Sequence, residues 1–147
     1  MRKTILVVLS VLGLALPSVD AWAASQQTVA KTSVKKKVSV ATKSFTGTAA
    51  QVDRWGTLQV TIVVKKTTTT VGTKKTVTRK MTSVKVPLYP NHTDRSLFIN
   101  QQALPTLVQE ALKAQSSGVN MVSGATDTSY GFSSSLQSAI LQAKAWK

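Results

Sequence analysis

The chain has 147 residues, with 19 Lys and Arg against 5 Asp and Glu, a formal net charge of +14, a single His and no Cys. That length accommodates one domain of modest size, and the lack of cysteine excludes disulfide frameworks, thiol redox centres, zinc ribbons and iron–sulfur clusters. The carboxylates are Asp20, Asp53, Asp94, Glu110 and Asp127, and the imidazole is His92. Hydrolytic triads and paired-acid sites have few candidates among them, so redox or group-transfer chemistry would need a cofactor.

Residues 1–23 read as a secretory signal peptide. Arg2 and Lys3 form a basic start, Ile5 to Leu16 is a run of apolar and small residues, Pro17 ends it, and Ala21-Trp22-Ala23 offers a cleavage site. The run is short for a membrane span of ~20 residues; the alternative is an anchor that stays attached. Removing Arg2, Lys3 and Asp20 leaves 17 basic and 4 acidic residues, a net of +13. An exported chain, whether secreted, periplasmic or at the cell surface, has no nucleic acid as partner. Residues 24–44 are Ser, Thr, Gln, Val, Ala and Lys around Lys35-Lys36-Lys37, too poor in apolar surface to offset their ordering entropy. They read as a basic tether with room for a strand at its end, leaving 45–147 as the folded domain.

Leu58, Val60, Ile62 and Val64 alternate with polar residues, the period of a strand with one buried face. Thr76 to Leu88 is its expected partner. Its apolar set moves from odd positions (Val77, Met81) to even ones (Val84, Val86, Leu88), which predicts a bulge near Thr82-Ser83. The lysine-flanked segment between the strands predicts a long hairpin arm turning at Gly72, and Phe45 to Val52 allows a third strand. Beyond Tyr89-Pro90 the period becomes helical. A short helix is expected over Ser96 to Ala103, a second with Pro105 in its first turn, and a last from about Ser129, with Phe132, Leu136, Ala139, Ile140 and Ala143 on one stripe. Strands followed by helices predict an α+β domain, a small antiparallel sheet with helices packed on one face.

The loop into the last helix, Val119 to Ser129, gathers Ser123, Thr126, Asp127, Thr128 and Ser129 where free helix N–H groups attract a phosphate. A plain cap is the competing reading, with Asp127 or Thr128 capping and Gly124 turning the chain.

Ser123-Gly124-Ala125-Thr126-Asp127-Thr128-Ser129 resembles the flavinylation motif of the FMN-binding domain family, found in the C subunit of the sodium-translocating NADH:quinone oxidoreductase and the corresponding Rnf subunit. Arg54-Trp55-Gly56-Thr57-Leu58-Gln59-Val60 is similar to a strand opening of that family. Asp94-Arg95-Ser96, Ile99-Asn100, Ala103-Leu104-Pro105 and Glu110-Ala111-Leu112 resemble its central stretch. The resemblance covers Phe45 to Ala143. It implies FMN joined through its phosphate to the hydroxyl of Thr126 by a flavin transferase that takes it from FAD. Ser123, Gly124 and Ala125 would shape the loop, the backbone amides after Thr126 and the Thr128 hydroxyl would hold the phosphate, and Trp55, Tyr89 and Arg95 could flank the isoalloxazine ring. Trp55 and Tyr89 read equally as core aromatics, and His92 as solvated. One position departs from the motif: Asn120 stands where the family usually has Asp, six residues before the acceptor.

The resemblance implies an extracytoplasmic electron-transfer flavoprotein, passing electrons between a membrane donor and an acceptor outside the cytoplasm, with no substrate pocket of its own. The alternative is a non-catalytic module that holds anionic cell-surface polymer or lipid, because 13 basic residues stand against Asp53 alone between Lys31 and Lys85. The mature chain is expected to start at Ala24. Amino-terminal sequencing of the native protein checks this, and a chain still starting at Met1 and sedimenting with membranes would make the segment an anchor.

Overall fold

The computed structural model describes residues 35–147; the signal segment and residues 24–34 of the expected tether lie outside them. The order is β1 (Lys36–Thr46), β2 (Ala50–Gln51), a 3-10 turn (Asp53–Trp55), β3 (Thr57–Val71), β4 (Lys74–Leu88), α1 (Asp94–Ala114) and α2 (Thr126–Ala145). The domain is α+β: four antiparallel strands and two helices, with both helices contributing to one core against the sheet.

β3 is the central strand. β1 pairs along it from Thr46↔Thr61 to Lys36↔Val71, β2 pairs at Leu58 and Thr57, and β4 from Gln59↔Leu88 to Val71↔Lys74. Its buried face is the alternating set Leu58, Val60, Ile62 and Val64. The parity change in β4 is a bulge: Val63 faces Ser83 while Val64 faces Met81, and the extra residue, Thr82, turns its hydroxyl to the Val63 carbonyl at 3.1 Å. The hairpin turns through Gly72 and Thr73.

Two expectations are corrected. The strand allowed at the end of the tether is present but longer than a tether to Ser44 permits: Lys36–Thr46 runs along the edge of β3. Most of its side chains are exposed and Phe45 alone in it is buried, so its order comes from backbone pairing, to which composition is blind. Nor are there two helices around Pro105, since α1 runs through it unbroken. The proline removes the N–H that would bond the Gln101 carbonyl. Gln101 and Pro105 are both exposed, so that carbonyl faces water, while Ala103, Leu104, Leu107 and Ala111 are buried on the opposite stripe. Gln115, in the left-handed region at φ 53°, ends the helix. Its side chain pairs with both the N–H and the carbonyl of Met81 (2.7 and 3.0 Å), fastening α1 to β4.

α2 lies on β3 with a ridge of small residues, Gly131, Ser135, Ala139 and Ala143, all buried. The approach is close. A Cβ on Gly131 would stand 2.8 Å from the Val52 side chain, and one on Gly47 would stand 1.9 Å from the Ser135 carbonyl oxygen. Gly47 lies in the gap between β1 and β2, where its N–H still bonds Val60 (2.8 Å). The Val60 N–H has no strand partner there and donates to Ser135 Oγ at 2.9 Å. Farther along α2, Ser138 accepts from the Thr48 N–H and the Gln142 amide donates to the Thr46 carbonyl, so helix side chains complete the interrupted edge.

Ser135→Ala orphans a buried strand N–H and should cost about 1–3 kcal/mol in urea unfolding. Gly47→Ala needs a backbone displacement and should cost about 3 kcal/mol. Equal, negligible effects would show that α2 is not seated by this contact.

Candidate functional site

α1 and α2 begin on either side of one pocket, open to solvent, with a cavity volume of about 160 Å³. That is below the roughly 300–1,000 Å³ of enclosed small-molecule sites, so the pocket is a cleft that takes part of a ligand. Gly124, Ala125 and the first turn of α2 form one wall; Arg95, Ser96, Ile99 and Asn100 of α1 form another; Val52, Trp55 and Pro90 complete it.

The two helix starts are finished differently. α1 has a capping box in which Thr93 Oγ1 accepts from the Ser96 N–H (3.1 Å) and Ser96 Oγ accepts from the Thr93 N–H (3.2 Å). α2 has none. Its N-cap is Ala125, no side chain caps its first amides, and its backbone ladder starts with Ser129 N–H to the Ala125 carbonyl at 2.9 Å. The N–H groups of Thr126, Asp127 and Thr128 precede that bond and are left for water or a ligand. Neither Asp127 nor Thr128 caps the helix, whereas Gly124 does turn the chain, at φ 79°. The helix also starts three residues before Ser129, which puts Thr126 and Thr128 in its first turn.

Thr126 is exposed on the pocket wall, and its hydroxyl makes no hydrogen bond among the described residues. Thr128 is buried. It donates to Asn100 Oδ1 at 2.8 Å, and Asn100 Nδ2 donates to the Pro90 carbonyl at 2.7 Å. With its proton given to Asn100, the Thr128 hydroxyl has none for an anion, and its backbone N–H is the group left to donate. Ser129 shapes the loop from beneath: Oγ accepts from the Val122 N–H (3.1 Å) and donates to the Ala125 carbonyl (2.8 Å).

Of the residues expected at the site, Arg95, Gly124, Ala125, Thr126 and Thr128 come together around the pocket, while Ser123 sits exposed in the preceding turn and off its wall. Trp55 lines the pocket half-buried, with the Arg54 guanidinium 5.0 Å over its ring. Tyr89 packs against the hydrophobic core instead, and His92 is exposed. Asn120 is exposed and donates to Glu110 Oε2 at 2.9 Å. Asp127 lines the pocket too; its charge suits a helix N-terminus but opposes a bound anion at short range. Sequence reasoning gave no role to Asn100, Pro90, Val52 or Ser96. The Ile99-Asn100 string was the available signal for Asn100.

Compared with models of known protein families and with curated proteins, the chain matches neither. What the pocket can do is therefore argued from its own groups: a free hydroxyl, uncapped amides, a guanidinium and an indole. These suit a ligand that joins an anionic group to a flat ring.

Asn100→Ala leaves the Thr128 hydroxyl and the Pro90 carbonyl unpaired in a buried setting and should cost about 2–3 kcal/mol in urea unfolding. Thr126→Ala removes an exposed, unpartnered hydroxyl and should stay within about 0.5 kcal/mol of the parent chain. A large loss for Thr126→Ala would make that residue structural.

Proposed function

We propose that the chain is an exported flavoprotein domain that carries FMN covalently on Thr126 and acts in extracytoplasmic electron transfer. The observation that carries the reading is the exposed Thr126 hydroxyl, unpartnered among the described residues, at the uncapped start of α2 in a pocket that Arg95 also lines, within the Ser-Gly-Ala-Thr string. The residues present fit the group by their chemistry: one cationic side chain, one indole and three uncapped amides line an open cleft, where a phosphate can sit while the ring stays partly in solvent.

Thr126 Oγ1 would hold FMN through its phosphate, installed from FAD by a flavin transferase with loss of the hydroxyl proton and AMP as leaving group. The amides of Thr126, Asp127 and Thr128 and the positive end of the helix would stabilise the phosphodiester charge, and Arg95 would supply a full positive charge from the opposite wall. Trp55 offers a face on which a flat ring can stack. Asn100 acts at one remove, fixing Thr128 and with it the first turn of α2. When bound, the flavin supplies the redox chemistry that the side chains lack. A membrane donor and an extracytoplasmic acceptor are the partners this reading requires.

The full chain produced together with a flavin transferase should show a flavin-fluorescent band after denaturing electrophoresis, because a covalent phosphodiester survives unfolding. Thr126→Ala should abolish the band while the chain stays folded, Thr128→Ala should keep it, and Asn120→Asp, which sets a carboxylate beside Glu110, should raise the modified fraction. Peptide mass spectrometry identifies the hydroxyl. Flavin on Thr128 would move the site, whereas a colourless product with a competent transferase would end the flavin reading.

A further inference from the structure

The half of the hairpin beyond Val64 extends past the helices, and its two faces differ. On the face continuous with the core, Lys66 and Arg79 engage the end of α2. Lys66 Nζ lies 4.2 Å over the Trp146 ring and donates to the Lys147 carbonyl oxygen (2.6 Å), and the Arg79 guanidinium donates to the Trp146 carbonyl (2.5 Å). These cations are held where helix carbonyls collect negative charge.

Among the described residues, no helix lies over the opposite face. Directly paired residues share a face and alternate along each strand, so the register sets out four rows across β1, β3 and β4. The two middle rows are Val38-Thr69-Thr76 and Val40-Thr67-Thr78. The row at the tip is Lys36-Val71-Lys74 and the row nearest the domain is Thr42-Lys65-Lys80. Two rows of β-branched residues are thus bracketed by four lysines, all of them exposed. Val38 and Val40 expose 51% and 53% of their surface. No Asp or Glu occurs from Val34 to Val52 or from Arg54 to Thr93. Lys65 directly faces Lys80, a like-charge pair that costs stability in a sheet and has no carboxylate on the arm to offset it.

We propose that this face docks on an anionic lipid surface, the lysines on headgroup phosphates and the valines against the interface. The lysines are attracted to a negative surface. The valines favour a bilayer over a soluble polyanion, since only the bilayer gives apolar side chains somewhere to leave water. A second copy is a poor occupant, because apposing two such faces sets four lysines against four. The inference stands apart from the flavin reading and uses none of its residues.

Vesicles of phosphatidylglycerol or of phosphatidylcholine, mixed with the full chain and sedimented, test it. Binding should be confined to the anionic vesicles and fall about tenfold or more as salt rises from about 0.1 to about 1 M, which shortens the screening length from about 10 to about 3 Å. Lys65→Glu with Lys80→Glu should lose binding about tenfold or more, while Lys37→Glu with Lys75→Glu, the same charge change on the other face, should retain most of it. Val38→Ser with Val40→Ser should weaken vesicle binding severalfold and leave binding to soluble polyphosphate unchanged. The amino-terminal apolar run is common to all these chains, so their differences report the arm alone. Equal losses from the two lysine pairs, or valine variants that bind vesicles normally, would overturn the proposal. Should the Lys65/Lys80 charge reversal disturb folding by circular dichroism, Lys65→Gln with Lys80→Gln provides the same comparison.

Discussion

The close seating of α2 on the interrupted edge of the sheet is the constraint from which most of the architecture follows. The Val60 N–H, near the start of β3, finds no strand beside it, because the chain breaks off pairing between Thr46 and Ala50, and the Ser135 hydroxyl takes the vacant place. That bond forms only if helix and sheet approach to a distance at which Gly47 and Gly131 tolerate no Cβ. An α2 held away from the sheet would leave a buried N–H unpaired and a gap along Leu58, Val60 and Phe132, each of them close to fully buried. Packing and polar satisfaction therefore demand the same helix position, the agreement between levels that makes one arrangement prevail.

That position decides what the start of α2 can do. Because Ser135 and Gly131 fix the helix along its length, its first turn reaches the pocket without help from a cap, and Asn100 holds it there from α1 through Thr128. α1 is closed by its Thr93–Ser96 box. The contrast matters because a side-chain cap on α2 would occupy the very amides that an anion needs. Uncapped amides cost a helix some stability, and here the contacts of Gly131 and Ser135 one and two turns farther on offset it.

Much of this was legible in the sequence where a local pattern carries the information. The alternation from Leu58 to Val64, the parity change that marks the bulge at Thr82 and the glycine at the hairpin turn each follow from strand geometry, and each is found where expected. β1 was not legible, since Lys, Ser, Thr and Val exposed on a strand look like the same residues in a tether, and only the register with β3 distinguishes them. The continuity of α1 through Pro105 was hidden for a related reason: the helix is held by its buried stripe, not by local propensity. At the pocket, Thr126 and its neighbours stood out as a contiguous string. Asn100 and Pro90 did not, because their bonds join positions 28 and 10 residues apart and exist only once both helices are placed.

The course of β3 separates the two chemistries of the molecule. Its first residues, Thr57 and Leu58, pair with β2 beside the 3-10 turn that contributes Trp55 to the pocket, and its last, Val71, lies at the tip of the arm. Fifteen residues of strand span roughly 45–50 Å at about 3.3 Å each. The described carboxylates Asp53, Asp94, Glu110 and Asp127 all lie outside the arm, on the 3-10 turn and the helices, so charge is sorted along the same axis. A body with lysines at one end and its acidic groups away from them orients in the field of an anionic surface before it touches it. Both helices lie on the other face of the sheet, so with the arm face down they would point away from the surface, and access to the pocket would not compete with docking. The lysines at the tip, Lys36 and Lys74, are the farthest along β3 from the pocket, and screening by salt weakens their field over that length.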